Sequence, residues 1–231
     1  MSLEKIPIIA IIPARGGSKS VPFKNMKKIN NKPLIFYTIN AAIKSKFIDE
    51  VYVSSDNNKI LNYCNKFKLN CIIRPKYLSG DKVTAVKVLW HAIKKIDKKL
   101  INKNPYLIYL QPTSPLRNQR HIDDMISNLK RLKKKKAVSV VETNETPYKT
   151  FKIDYENKLK SIFNQKYSNY NRQYLPKTYK PNGAIYFFKL SQFIKQNSFP
   201  SNGSYPYIMN KKNSIDIDNN EDLLLARKYL K

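Results

Sequence analysis

The chain has 231 residues, of which 44 are Lys or Arg and 16 are Asp or Glu, so its formal net charge is +28. Its 2 cysteines, Cys64 and Cys71, exclude a disulfide framework and a Cys-rich zinc module, and its 2 histidines add too little for a His/Cys metal site. No apolar run approaches the ~18 residues of a membrane helix, and the run from Ile6 to Ala14 lacks the layout of a secretory leader, so a reducing, cytoplasmic setting with no membrane partner is expected.

In chain order the sequence alternates strands with helices. Pro7-Ile8-Ile9-Ala10-Ile11-Ile12 is a continuous apolar run, as in a strand buried on both faces. A glycine loop follows over Pro13 to Lys19. A helix then starts near Pro33, with Leu34, Tyr37, Thr38, Ala41 and Ala42 at helical spacing. Val51 to Ser54 reads as a second strand, Asn57 to Phe67 as a helix with Ile60, Leu61, Cys64 and Phe67 on one face, and Asn70 to Ile73 as a third strand. Val83 to Ile96 is a helix burying Val86, Leu89, Trp90 and Ile93. Tyr106 to Leu110 is a fourth strand, stopped by Gln111-Pro112-Thr113-Ser114-Pro115. His121 to Lys135 is a helix and Ala137 to Val141 a fifth strand. After Glu142 the rhythm breaks, and residues 143–181 are aromatic, polar and long for an unstructured loop. They read either as a β-hairpin excursion packing on a partner subunit or as a surface insertion. Gly183 to Phe188 resumes as a strand, Tyr205 to Met209 suggests another, and a last helix runs from Asn219 to Leu230.

This alternation predicts an α/β fold with a mostly parallel sheet and helices on both faces, in one domain over residues 1–231 with the excursion 143–181 inside it. Ligands bind such sheets beyond the carboxyl ends of the strands. The loops that matter are therefore Pro13–Asn25, Ser54–Asp56, Arg74–Thr84 and Gln111–Arg117.

The charge has two readings. A value of +28 is a signal for nucleic acid. Abundant Lys, Asn, Ile and Tyr are equally the mark of an AT-rich genome, and the lysines are spread along the chain; the one long run, Lys133 to Lys136, follows a predicted helix, where cations suit the dipole. The acids are more informative, because none lies between Asn157 and Ile215.

Four segments could carry chemistry. In Pro13-Ala14-Arg15-Gly16-Gly17-Ser18-Lys19 the glycines let backbone N–H groups face an anion, and Arg15, Lys19, Lys24 and Asn25 share the same mouth. It is neither a Walker A nor a G-x-G-x-x-G sequence, and basic neighbours arise by chance in so basic a chain. In Gln111-Pro112-Thr113-Ser114-Pro115 the prolines would hold Gln111 rigidly at a strand end, or simply end the strand. Asp216 and Asp218 point to the same side of an extended segment, which suits Mg²⁺ held by carboxylates and substrate phosphates, while Asp218-Asn219-Asn220-Glu221 also reads as a capping box. Pro181-Asn182-Gly183 is a turn feeding a buried strand, with a structural reading that stands alone.

Together, Pro13-Ala14-Arg15-Gly16-Gly17-Ser18-Lys19, Leu110-Gln111-Pro112-Thr113-Ser114-Pro115-Leu116-Arg117, Pro181-Asn182-Gly183-Ala184-Ile185-Tyr186 and Ser214-Ile215-Asp216-Ile217-Asp218 resemble the CMP-sialic acid synthetase family, the acylneuraminate cytidylyltransferases. The resemblance implies a Rossmann-like nucleotidyltransferase fold, a homodimer with an interlocking excursion, and transfer of a cytidylyl group from CTP to a 2-keto nonulosonic acid. It further implies that Ala14, Arg15, Gly16, Gly17, Ser18, Lys19, Lys24 and Asn25 form the nucleotide site, with Arg74 and Thr84 near the cytosine. It places Asp216 and Asp218 on Mg²⁺, and groups them with Arg15 and Lys19 as catalytic. Gln111, Asn182 and Tyr186 fall at sugar positions, and Lys149 and Arg172 on the excursion would reach an acidic sugar across the dimer. The sequence departs from the family with Ser20 after Lys19, where glycine is common, and with Lys82-Val83-Thr84-Ala85, which leaves only Thr84 as a small hydroxyl near the base. Two alternatives remain: a nucleotidyltransferase for another sugar, such as a 3-deoxy-octulosonate or a sugar 1-phosphate, and a basic nucleic-acid-binding protein. The second lacks any recognisable nucleic-acid motif.

Overall fold

The computed structural model describes residues 6–18 and 20–230. In chain order these form β1 (Ile8–Pro13), β2 (Lys28–Ile29), β3 (Lys32–Pro33), α1 (Leu34–Lys44), β4 (Glu50–Ser55), α2 (Asn58–Asn65), β5 (Asn70–Ile73), α3 (Ala85–Ile93), α4 (Lys98–Asn102), β6 (Tyr106–Tyr109), α5 (Gln119–Arg131) and β7 (Ala137–Glu142). After these come β8 (Phe151–Ile153), β9 (Leu159–Ser161), β10 (Tyr179–Lys189), α6 (Leu190–Gln196), β11 (Tyr205–Ile208) and α7 (Asn220–Tyr229).

Among the described residues seven strands make one sheet in the order β11-β7-β10-β6-β1-β4-β5. β1 pairs parallel with β4 and β6, β4 with β5, and β7 with β11. β10 alone runs antiparallel, to both β6 and β7. The sheet is thus mostly parallel, as the alternation predicted. β1 is an interior strand between β6 and β4, and Ile9 to Ile12 are fully buried, which accounts for its unbroken apolar run. Two buried clusters cover the two faces. One joins Ala10, Ile12 and Val53 of the sheet to α1, α2 and α5; the other joins Ile9, Ile11 and Tyr109 to α3 and α6.

Helix starts follow local chemistry. Pro33 precedes α1 with extended backbone, Asn57 caps α2 by accepting from the Lys59 and Ile60 N–H groups, and Thr84 caps α3 by accepting from the Lys87 N–H. The last helix differs from expectation by one residue. Asn219, not Asp218, is its N-cap: Asn219 Oδ1 accepts from the Asp222 N–H at 2.9 Å, and Asp222 Oδ2 accepts from the Asn219 N–H at 2.9 Å. Asp218 is therefore released from the capping role that the sequence pattern gave it.

β10 carries an irregularity that shapes the site. Its pairing with β7 shifts between Pro181 and Tyr186, and Gly183 sits there at φ +75°. Pro181 pairs with Val140 on one side, and it is tolerated because β6 pairs with β10 only over Tyr186–Lys189, leaving no ladder on its other side. β7 ends and β10 begins side by side, with Glu142 paired to Tyr179, so the residues between them leave the sheet and return at its carboxyl edge. They include the antiparallel hairpin β8–β9. No helix among the described residues is long and apolar enough to cross a membrane.

Candidate active site

The carboxyl ends of β1, β4, β5 and β6 open on a cleft of about 300 Å³ lined by Arg15, Gly17, Ser18, Lys24, Asn25, Arg74, Gln111, Asp216 and Asp218. These residues come from loops as far apart in sequence as the end of β1 and the start of α7. A larger hollow of about 410 Å³ at the opposite end of the sheet is lined by Ile6, Phe47, Leu129 and Phe187 and by four lysines, Lys130 and Lys133 to Lys135, with no acid among the described residues lining it.

The glycine loop is built from beneath. Ala14 is buried and its N–H donates to Ser54 O at 2.9 Å, carrying on the β1–β4 ladder. Gly16 N–H donates to Asp56 Oδ1 at 2.9 Å, and a Cβ on Gly16 would lie 2.8 Å from Asn57 Cβ, so this position requires glycine by close approach. Gly17 faces open space instead. Asn25 is buried and its amide donates to Arg15 O at 2.8 Å. It thereby shapes the loop backbone from within. Lys19, expected on the triphosphate, lies outside the described residues.

Each of the three described cations lining the cleft is met by a carboxylate. Arg15 Nη1 lies 2.7 Å from Asp81 Oδ1, and Lys24 Nζ lies 3.5 Å from Asp218 Oδ1 while donating to Ile217 O at 2.6 Å. Arg74, only 4% exposed, has Nη2 at 3.9 Å from Asp56 Oδ1. Burial lowers the Arg74 pKa and the Asp56 charge works against that shift.

Opposite stands the paired-carboxylate segment. Ile217 N–H donates to Thr113 O at 2.8 Å, and Ile217 is fully buried between the carboxylates, so Asp216 and Asp218 are held on the loop after β6. Burial raises the Asp216 pKa; the Thr113 hydroxyl pulls it back, and Asp218 pushes it further up. Asp216 Oδ1 is buried with no hydrogen-bond partner, while the Asp218 side chain is 78% exposed. Among the described residues no three His, Cys, Asp or Glu side chains cluster as a metal cage. Two adjacent carboxylates, one with an orphaned oxygen, do fit Mg²⁺, which is commonly bound by one or two carboxylates with substrate phosphates and water.

Gln111 sits where β6 ends. Its backbone carbonyl accepts from Thr38 Oγ1 and from Arg117 Nη2, each at 3.4 Å. Gly183 comes so close that a Cβ there would lie 2.6 Å from Gln111 Oε1 and 3.5 Å from Asp216 Oδ2. The β10 bulge thus brings the Pro-Asn-Gly turn against Gln111 and Asp216. Tyr186 stands at the edge of this group, its pKa raised by burial and then by Asp216, and its ring packs on Phe199 at 5.2 Å.

Several expected site residues stand elsewhere. Asn182 is buried with its amide already engaged: Oδ1 accepts from Ser139 Oγ at 2.6 Å and Nδ2 donates to Ser214 Oγ at 2.9 Å. It pins the bulge and does not line the cleft. The Thr84 hydroxyl caps α3, and it is Val83, Ala85 and Val88 that line the cleft beside Arg74. Lys149 and Arg172 lie in short turns on the excursion, and neither lines the cleft of its own chain. Sequence reasoning missed Asp56 and Thr113 as contributors. Asp56 sat in a loop already marked by its place after a strand, and that position was the available signal.

A family model described as cytidylyltransferase matches residues 9–221. An N-acylneuraminate cytidylyltransferase of Escherichia coli is 33% identical over 219 residues, covering 95% of this chain and 51% of that protein. The chain thus spans about half the length of that relative. A CMP-N,N'-diacetyllegionaminic acid synthase of Legionella pneumophila is 32% identical over 231 residues, covering 96% of each. Among solved structures, a CMP:2-keto-3-deoxy-manno-octonic acid synthetase complexed with CTP matches with a TM-score of 0.68 at 16% identity, over 97% of this chain and 98% of that one. At that identity the likeness speaks for the fold.

Proposed function

This chain belongs to the cytidylyltransferase family, and from that premise we propose that it transfers a cytidylyl group from CTP to an acidic nine-carbon 2-keto sugar of the neuraminate, legionaminate or pseudaminate type, releasing pyrophosphate. The observation that carries this reading is the convergence of Arg15, Lys24 and Arg74 with the Asp216/Asp218 pair on one cleft beyond the sheet's carboxyl edge.

In the reaction the anomeric hydroxyl of the sugar acid attacks the α-phosphorus, the new P–O bond forms as the bond to the bridging oxygen of pyrophosphate breaks, and the hydroxyl proton leaves to solvent or a carboxylate. The chain's task is positioning and charge neutralisation. Gly17 and Ser18 line the cleft on the loop that would cradle phosphate. Arg15 would exchange Asp81 for phosphate oxygens, and Lys24 would lie between the phosphates and Asp218. Gln111, held by its own backbone contacts, would orient the sugar. Asp216 and Asp218 would hold Mg²⁺, which supplies positive charge to triphosphate oxygens when bound.

The reading includes a homodimer formed through residues 143–181, within a single domain. The excursion exposes Ile153 (67%), Tyr155 (96%) and Leu159 (71%), and apolar exposure of this kind favours burial against protein. Across such an interface Lys149 and Arg172 would meet the acidic sugar in the partner's cleft. The experiment is pyrophosphate release with CTP, Mg²⁺ and each sugar acid in turn: turnover with a nonulosonic acid is expected. Turnover with only an octulosonate or a sugar 1-phosphate would replace the sugar assignment, and no release with any of them would reject the reading. Sedimentation of the protein at micromolar concentration tests the dimer.

A further inference from the structure

Asp56 has no part in the transfer just described, yet it touches two pieces of the cleft at once. It follows β4, and its side chain is 17% exposed. Oδ1 accepts the Gly16 N–H at 2.9 Å and lies 3.9 Å from Arg74 Nη2. The next residue, Asn57, packs where a Gly16 side chain would stand. Arg74 is fixed through its backbone as well, its N–H donating to Ser55 O at 2.7 Å. Its Nε and Nη2 are buried without a hydrogen-bond partner, and the Arg15 charge opposes its own. A buried guanidinium in that setting needs a countercharge to stay ionised and aimed.

We infer that Asp56 is a positioning residue that holds Arg74 at the nucleotide while fixing the glycine loop, so that one carboxylate sets both ends of the CTP site. The inference rests on the cytidylyltransferase reading. It makes a prediction opposite in sign to simple charge attraction. Removing a carboxylate from a cationic cleft should tighten a triphosphate if charge alone matters. If Asp56 positions Arg74, binding weakens instead.

The test is calorimetric binding of CTP and of pyrophosphate, each with Mg²⁺, to the wild-type chain, Asp56→Asn and Asp56→Ala. Asn keeps an oxygen for the Gly16 N–H but loses the charge facing Arg74. Asp56→Asn is expected to weaken CTP about tenfold, which is about 1.4 kcal/mol, while pyrophosphate, which has no base or ribose to reach Arg74, changes less than about threefold. Asp56→Ala should weaken both ligands, because the loop N–H also loses its acceptor. Should Asp56→Asn fail to fold, Asp56→Ser, which likewise keeps an oxygen for the Gly16 N–H and carries no charge toward Arg74, is expected to give the same split between ligands. CTP binding unchanged or tighter in Asp56→Asn would overturn the inference. Equal weakening of CTP and pyrophosphate would overturn it too, by confining Asp56 to the loop. A wild-type chain that binds pyrophosphate but not CTP would reject the underlying cytidylyltransferase reading and the inference with it.

Discussion

Asp216→Asn should make the protein more stable and nearly inactive. The Asp216 carboxyl is desolvated, its Oδ1 has no hydrogen-bond partner, and Asp218 stands beside it. These burdens exceed the help from the Thr113 hydroxyl and Lys24, so its folded pKa lies above the unfolded value. The sign follows. Between the unfolded and folded pKa values the folded chain holds a proton that the unfolded chain has released. Stability from this group is complete below the unfolded pKa and is lost as pH rises through the folded one, so at neutral pH the cost of ionising Asp216 is fully present. An amide of the same shape removes the charge but keeps a polar group at the orphaned position, so a gain of only about 1 kcal/mol is expected, the difference between an unpaired charged and an unpaired neutral group. For a chain of this size that is about 2–4 °C in melting temperature.

The same substitution removes half of the carboxylate pair proposed for Mg²⁺, and pyrophosphate release should fall by about 10²-fold or more, the scale of losing one preorganised electrostatic contact. Thermal melts in chelator report the stability term without metal. Melts with CTP and Mg²⁺ report binding, and should show a ligand-dependent rise in the wild type that shrinks in the variant. A variant that melts lower than wild type in chelator would refute the account of Asp216 burial, and near-normal turnover would remove it from the metal site.

Other substitutions reach different parts of the structure. Gly183→Ala forces a side chain into the left-handed region at φ +75° and against Gln111 Oε1; a loss of about 1–2 kcal/mol is expected, with KM for the sugar acid rising more than KM for CTP in steady-state assays. His121 closes the α5 capping box by accepting the Asn118 N–H on Nδ1 at 3.1 Å, which it can do only unprotonated. Burial and Arg117 lower its folded pKa, so this stabilisation is complete above the unfolded value near 6.5 and is lost as pH falls through the folded one. His121→Gln should keep the box, and in melts from pH 7.5 to 5 it should flatten a drop of about 1 kcal/mol; an unchanged pH slope would contradict this. Cys64 is buried with its thiol pushed up to about 12, and burial raises Cys71 as well. A thiol reagent at pH 7.5 should therefore react slowly with the folded chain and titrate 2 thiols after denaturation; fast reaction of both in the native state would refute that burial.

The sheet's central strands and their covering helices were legible because burial on both faces writes itself into the chain as unbroken apolar runs, and one-sided burial as a helical period. Asn70 to Ile73 was placed to the residue. Direction was not legible: the stretch Gly183 to Phe188 of β10 is apolar like its parallel neighbours, and its reversal shows only in its pairing with β6 and β7. β2 and β3 are too short to show a period, and α6 begins directly after β10 with no intervening loop. At the last helix two cap patterns overlap in Asp218-Asn219-Asn220-Glu221-Asp222, and only the backbone distinguishes Asn219 from Asp218. The same limit hid the engagement of Asn182, whose partners Ser139 and Ser214 lie 43 and 32 residues away.

That limit bears on the charge. Spread over the surface, a formal +28 describes the whole chain and localises nothing. The scarce acids do localise: Asp56, Asp81 and Asp218 each face a cation at the cleft, and Asp216 stands among them. A triphosphate entering there must take Arg15 from Asp81 and share Lys24 with Asp218, so each of these phosphate contacts replaces an existing carboxylate contact. The net gain per contact is then smaller than the charge suggests, and screening by salt acts on the difference between two ion pairs. CTP affinity should accordingly fall only gently between roughly 50 and 200 mM salt. A steep log–log slope, of the kind that follows release of many counterions from a polyanion, would return weight to the nucleic-acid reading.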